Sequence, residues 1–175
     1  MNRTIKFFVS GIILIFTSLL YSCEDKIEVP QRTPEIEKTE INEALASLVK
    51  EGFTVDSTSS GLYYIMHKEG SGPYPEKSDT CGLIYNGFFL SGHQFDSSGL
   101  YYEDSVWHFR YLEVPLIKGF DEGVALLNKG AIADILIPSS LGYGAMGYGS
   151  IPPYTPLFFN LKLVELNPLI EEEDN

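Results

Sequence analysis

The sequence predicts an α+β fold: one antiparallel sheet with a short helix packed on one face, preceded in the chain by a second short helix. Three observations point there. Runs of alternating apolar residues follow one another in series, only one short stretch among them has helical periodicity, and no strand-helix-strand repeat of the kind a parallel sheet needs occurs. With 175 residues, 44% of them hydrophobic and 13% aromatic, the chain has room for one domain with a substantial core.

Taken in order, Arg3 and Lys6 precede an apolar run from Phe7 to Tyr21 that stops at Ser22-Cys23. This is export-signal architecture over residues 1–22, because the run falls short of the ~20 residues that cross a hydrocarbon core. Leu20-Tyr21-Ser22-Cys23 resembles a bacterial lipobox, with Tyr21 in place of the usual small residue. The resemblance implies cleavage before Cys23 and acylation of its thiol, which would tie the protein to a lipid membrane of the bacterial cell envelope, at the outer membrane or the periplasmic face. Several acyl chains would hold it firmly, since each buried methylene contributes ~0.8 kcal/mol and one chain alone binds marginally. Residues 23–38, polar and interrupted by Pro30 and Pro34, read as the acylated cysteine and a flexible tether. The acidic pair Glu24-Asp25 resembles the short sorting signals of surface lipoproteins, or serves solubility alone.

A helix is predicted from Thr39, which can cap it. Ile41, Leu45, Leu48 and Val49 fall on one face and Gly52 can end it, so residues 39–60 make a short amphipathic helix and a linker. Its apolar stripe must cover either its own domain or a second copy of the chain, which leaves the oligomeric state open. The domain proper spans residues 61–168. Leu62 to Met66 is its first strand, followed by a turn-rich loop with Gly70, Gly72, Pro73 and Pro75. Cys81, Leu83 and Tyr85 share one face of the second strand, and Trp107, Phe109 and Tyr111 one face of the third. The single internal helix falls within Gly119 to Lys129, where Phe120, Val124 and Leu127 recur at helical spacing. Ala131 to Ile137 is a nearly continuous apolar strand ended by Pro138, and Leu157, Phe159, Leu161 and Leu163 line one face of the last strand. Residues 169–175 form an acidic tail.

The formal charge of -12 excludes a nucleic-acid partner, because phosphate binding needs a surplus of Lys and Arg. Only Cys23 and Cys81 are present, so there is no disulfide framework, and Cys81 within a strand reads as a small buried hydrophobe. Gly142 to Gly147 matches the G-x-G-x-x-G string of dinucleotide sites, but Ile151-Pro152-Pro153 follows where the phosphate-binding helix would have to begin. The glycines instead free a long loop that carries Tyr143, Met146, Tyr148 and Ile151. His67, His93 and His108 have neither helical i,i+4 spacing nor cysteine neighbours, so no metal or other cofactor is implied. No G-x-S-x-G elbow accompanies the serines, and Cys81 lacks a basic partner, so nucleophilic hydrolysis has no visible machinery.

What remains is a concentration of aromatic residues on distant segments, namely Tyr85, Phe95, Trp107, Phe109, Phe120, Tyr143 and Phe159, with one acid, Asp96, beside them. They fall in ordered strings: Ile84-Tyr85-Asn86-Gly87, Phe95-Asp96-Ser97-Ser98, Leu116-Ile117-Lys118-Gly119-Phe120-Asp121-Glu122-Gly123-Val124, Leu141-Gly142-Tyr143-Gly144, and Ile151-Pro152-Pro153 running into Leu157-Phe158-Phe159. In order and spacing these strings resemble the FKBP-type peptidyl-prolyl cis-trans isomerases, over about Gly61 to Asn167. The resemblance implies a half-barrel antiparallel sheet wrapped around the short helix, with a shallow apolar pocket between them. Carried over residue by residue, Tyr85, Phe95, Asp96, Trp107, Leu116, Ile117, Phe120, Tyr143, Ile151 and Phe159 would line that pocket, with Phe120 as its floor where the family commonly has tryptophan. Trp107 stands where phenylalanine is usual, and Asn86 where threonine is. The resemblance further implies proline-containing polypeptides as substrates, macrolides as possible ligands and no cofactor. The Ile117 N–H and the Tyr143 hydroxyl would hold substrate carbonyls, while Asp96 would polarise the pocket and orient Tyr85.

Overall fold

The computed structural model describes residues 31–167. The expected export signal, the acylation site Cys23, the first part of the tether and the acidic tail lie outside the described residues.

The first element is helix α1, Pro34–Lys50, which starts a turn and a half before the Thr39 boundary that the sequence predicted. Thr33 is the cap: its backbone is extended and its side chain accepts a hydrogen bond from the Ile36 N–H. Pro34 takes the first helical position, where its locked φ suits the helix and its missing N–H costs nothing. Thr39 is instead interior, its hydroxyl donating to the Glu35 carbonyl. The stretch assigned to the tether therefore ends before Pro34. At the other end Gly52 follows the helix with φ 95°, the left-handed position expected of a helix-ending glycine.

The strands that follow are β1 (Asp56–Ser57), β2 (Tyr63–Lys68), β3 (Thr80–Phe89), β4 (Gln94–Ser97), β5 (Trp107–Arg110), β6 (Ile132–Ile137) and β7 (Leu157–Asn167), with helix α2 (Lys118–Ala125) between β5 and β6. They form one sheet in the order β1-β2-β6-β7-β3-β4, with every pairing antiparallel. Strand β5 pairs with the first half of β3, Thr80 to Leu83, while β4 pairs with Asn86 to Phe88, so the two share one edge of β3. The two-residue β1 is too short to show a period, and β4, Gln94–Ser97, holds a single apolar side chain, so alternation did not reveal them.

Side-chain alternation sorts the two faces. Ala133, Ile135 and Ile137 of β6 and Leu157, Phe159, Leu161 and Leu163 of β7 are buried on the face that carries α2. Each fully buried leucine there contributes roughly 1.5–3 kcal/mol by leaving water. Helix α2 comes close because its sheet-facing positions are glycines. A β-carbon on Gly119 would lie 2.4 Å from Ile137 Cγ2, and one on Gly123 would lie 2.5 Å from Ile135 Cδ1.

The opposite face of the sheet is covered in part by α1. Leu45 and Leu48 share a crevice with Ile65, Leu136 and Phe158, so these two residues of the stripe lie against their own domain, while Val49 stays 60% exposed. The sequence had left that stripe's partner open. Among the described residues, no helix is long and apolar enough to cross a membrane.

The glycine contact yields a test with an informative sign. Alanine favours a solvent-exposed helix by about 1 kcal/mol over glycine. Gly119→Ala is nonetheless expected to destabilise the domain by about 1–3 kcal/mol through overpacking against Ile137. A fall in the urea midpoint at unchanged m-value would show it, and a rise would contradict the packing described.

Candidate functional site

Between α2 and the edge of the sheet formed by β3, β4 and β5 lies a cavity of about 460 Å³, lined by Tyr85, Phe95, Asp96, Trp107, Pro115, Leu116, Ile117, Phe120, Tyr143, Tyr148 and Phe159. Each wall comes from a different segment. Tyr85 projects from β3, Phe95 and Asp96 from β4, Trp107 from the start of β5 and Phe159 from β7. Phe120 sits in the first turn of α2, and Ile117 is its N-cap.

Phe120 lines the cavity at 5% exposure, and the Tyr85 and Phe159 rings meet it edge-on. Its centroid is 5.7 Å from Tyr85 at an interplanar angle of 85°, and 5.1 Å from Phe159 at 81°. Phe95 meets Phe159 at 5.6 Å in the same T-shaped manner, and Trp107 leans over Phe120 at 6.3 Å. Edge-to-face packing of this kind adds roughly 0.5–1.5 kcal/mol per pair beyond buried area, so the walls are stiff. Gly87 permits the arrangement, since a β-carbon there would lie 2.7 Å from the Phe159 ring and 2.9 Å from that of Phe95.

Polar groups are few and placed at the rim of this aromatic surface. The Tyr85 hydroxyl donates to Asp96 Oδ2 at 3.2 Å, and the Tyr85 N–H donates to the hydroxyl of buried Ser98 at 3.1 Å. Asp96 Oδ1 is buried with no hydrogen-bond partner among the described residues. The Ile117 carbonyl starts α2 by accepting from the Phe120 and Asp121 N–H groups. The Ile117 N–H and the Tyr143 hydroxyl donate to no group among the described residues, which leaves two donors available at the cavity. Burial, with Asp96 adding to it, pushes the Tyr85 phenol far above its ordinary value, and burial with Tyr148 and Asp96 nearby raises Tyr143. Both stay protonated donors at neutral pH. Burial likewise pushes the Cys81 thiol up to about 12, as suits a strand residue packed in the core.

Nine of the ten residues expected from the sequence thus line one cavity, and Ile151 does not. It is buried in the core, while Tyr148, joined to it by an isolated bridge, lines the cavity. The Tyr148 ring stacks on Tyr143 at 5.2 Å and 13°. Pro115 and Tyr148 were not among the expected lining residues. Tyr148 was legible as part of the glycine-freed loop, whereas nothing in the pattern marked Pro115. The loop with the G-x-G-x-x-G string leads into turns and that bridge rather than a helix. His67 bonds Asp134 and His108 bonds Glu165, and among the described residues no group of three or more His, Cys, Asp or Glu is placed to hold a metal ion.

Fold and cavity together define an α+β domain with an aromatic cleft and a few hydrogen-bond donors. Comparison with known proteins names the class. The family model for FKBP-type peptidyl-prolyl cis-trans isomerases matches residues 72–164, and the chain belongs to that family. It is 34% identical over 131 residues to the FKBP-type isomerase FkpA of Escherichia coli, covering 73% of this chain and 47% of the relative. To a probable FKBP-type isomerase of Haemophilus influenzae it is 36% identical over 125 residues, 69% of this chain and 49% of the relative. The chain therefore spans about half the length of the curated relatives it matches. Among solved structures it is similar to a peptidyl-prolyl cis-trans isomerase of Pseudomonas syringae, with TM-score 0.64, 27% identity, and coverage of 79% of this chain and 98% of that one. It is also similar to the crystal structure of Escherichia coli FkpA, with TM-score 0.63, 26% identity, and coverage of 96% and 74%.

The raised acidic groups dictate an alkaline limit. Cys81, Tyr85, Tyr111 and Tyr143 all hold their protons more tightly in the folded state, chiefly because of burial. The unfolded chain releases these protons first, so their stabilisation is complete below about pH 8.5 and is lost as pH climbs through the folded values. Denaturant unfolding between pH 8 and pH 11 is expected to show falling stability. Cys81→Ala would remove the part of that slope that begins earliest.

Proposed function

We propose that this chain catalyses cis-trans isomerisation of Xaa-Pro bonds in polypeptides exported to the bacterial envelope, with Phe120 as the floor of the substrate site. The observation that carries the reading is the convergence of Tyr85, Phe95, Asp96, Trp107, Leu116, Ile117, Phe120, Tyr143 and Phe159 on one cavity.

A prolyl bond faces a barrier of ~18–20 kcal/mol because the amide loses resonance as it twists. No bond is made or broken, so the catalyst needs only to hold the twisted amide better than the planar one. An aromatic cavity suits that task, since the twisted amide has less charge separation and is cheaper to desolvate. The proline ring would sit on Phe120 against Trp107 and Phe159. The Ile117 N–H and the Tyr143 hydroxyl would hold carbonyls on either side of the rotating bond, a use consistent with their having no partner of their own. Asp96 would keep Tyr85 oriented through their hydrogen bond and turn its unpartnered Oδ1 toward the amide as it rotates. No general acid or base enters, and the raised phenols are protonated donors throughout the physiological range. Macrolides would compete for the same cavity. Acylation of Cys23 would tether the domain to a membrane surface, where it meets chains as they emerge; the lipobox string is the support for that part.

Refolding of a protein limited by a prolyl bond tests the activity. The full chain is expected to accelerate it, and Asp96→Ala combined with Tyr143→Phe to lower kcat/KM by about tenfold or more, equivalent to about 1.4 kcal/mol of lost transition-state stabilisation. Binding of a proline peptide without acceleration would show a binding module instead, and the absence of both binding and acceleration would overturn the cavity assignment. For the anchor, expression in an envelope-bearing bacterium with radiolabelled palmitate should label the chain, and Cys23→Ser should abolish the label and release the protein from the membrane fraction.

A further inference from the structure

Tyr143 stands on the long excursion of residues 138–156 between β6 and β7, and its neighbour Gly144 is where that excursion is tied to itself. The Gly144 N–H donates to the Ser139 carbonyl at 2.8 Å, and the Gly144 carbonyl accepts from the Tyr154 N–H at 2.9 Å. Both of these partners are in turn held from outside the loop. The Ser139 N–H and hydroxyl donate to the two carboxylate oxygens of Glu37, at 2.5 and 2.6 Å. The Tyr154 carbonyl accepts from Arg32 Nη2 at 3.0 Å and from Nε at 3.3 Å. Arg32 is itself oriented by Glu40, which receives its Nη1 at 2.9 Å on one oxygen and its Nη2 on the other.

Every residue reaching in belongs to the start of α1 or directly precedes it, and these contacts are more specific than covering an apolar face requires. Glu37 is 8% exposed and Ser139 4%. A buried carboxylate is costly unless its oxygens are satisfied, and here both oxygens are spent on the two donors of one serine. Arg32 and Glu40 are only partly buried, so their ion pair adds little to stability and much to the direction in which Arg32 points. Tyr154 has φ 50°, an uncommon backbone region for a residue with a side chain, and the Arg32 bond holds its carbonyl in that turn.

We propose that the start of α1 is a brace for the cavity loop, in which Glu37 and Arg32 are positioning residues that set the placement of Tyr143 through Ser139, Tyr154 and Gly144. The brace rests on the reading of Tyr143 as a group that holds substrate. It assigns the helix ahead of the domain a part in catalysis without contact with substrate. A shift of Tyr143 by a fraction of an ångström would move its hydroxyl off the carbonyl it holds.

The test uses the full chain with Glu37→Ala, Arg32→Ala and both together, each also made in a Tyr143→Phe background. Amide hydrogen exchange at Gly144 and Tyr154 is expected to quicken about tenfold, with β3 and β7 amides unchanged, as a local opening does. Isomerase kcat/KM is expected to fall about 5- to 20-fold in the parent background, in keeping with the cost of small misplacements. In the Tyr143→Phe background the same changes should cost less than about twofold, because residues acting through one group are not additive. Unchanged exchange at Gly144 and Tyr154, exchange rising equally in β3 and β7, or equal kcat/KM losses in both backgrounds would each overturn the brace. Arg32→Ala, at the more exposed end, reads the same loop should Glu37→Ala fail to fold. A parent chain without isomerase activity would sink the proposed function, while the exchange measurement would still decide the brace.

Discussion

The distance between α2 and the sheet governs much of what this domain can do, and it is set by missing β-carbons. Gly119 and Gly123 bring the helix backbone onto Ile137 and Ile135, where side chains at those positions would collide. That approach places Phe120, the next residue along, at the bottom of a cleft rather than out on its rim. The rings of Tyr85, Phe159 and Trp107 then close around it from three strands. A helix held farther out would leave a looser, wetter depression, and the proposed binding of a twisted amide would lose the desolvation it relies on.

The cavity is chemically sparse, in keeping with the proposed isomerisation, which moves no proton. Among the described residues its polar groups are a carboxylate with one unpartnered oxygen, a phenol bonded to that carboxylate, and two donors without hydrogen-bond partners. Burial raises the phenols, which takes them farther from proton transfer and makes them dependable donors. The same burial makes these groups a liability at high pH, so the apolar environment that suits the substrate also limits the alkaline range of the fold.

The helix ahead of the domain gives the structure a third layer. Its apolar residues rest on the outer face of the sheet, while its first turn reaches the loop that carries Tyr143. One element thus touches the sheet from behind and the cavity loop from the side. Fold and site are joined through it as well as through α2.

Alternation made β3, β5 and β7 legible, a continuous apolar run marked β6, and the family resemblance carried by the ordered strings named nearly all of the cavity lining, because these are local patterns of residue type along the chain. The start of α1 was misplaced because Thr33 and Thr39 are both competent caps, and only the backbone selects the one that precedes Pro34. Ile151 went to the core and Tyr148 to the cavity, although only Ile151 had been expected to line it, because the packing of their loop depends on contacts with distant segments. By itself, then, the sequence determined the fold class and the buried face of the main strands, since period expresses these directly, and the chemical character of the site through its resemblance to a known family. Which rings meet over Phe120, which face α1 covers and what holds Tyr143 were decided only by the tertiary structure. They depend on distances between residues far apart in the chain, such as Glu37 and Ser139, and no local pattern encodes those distances.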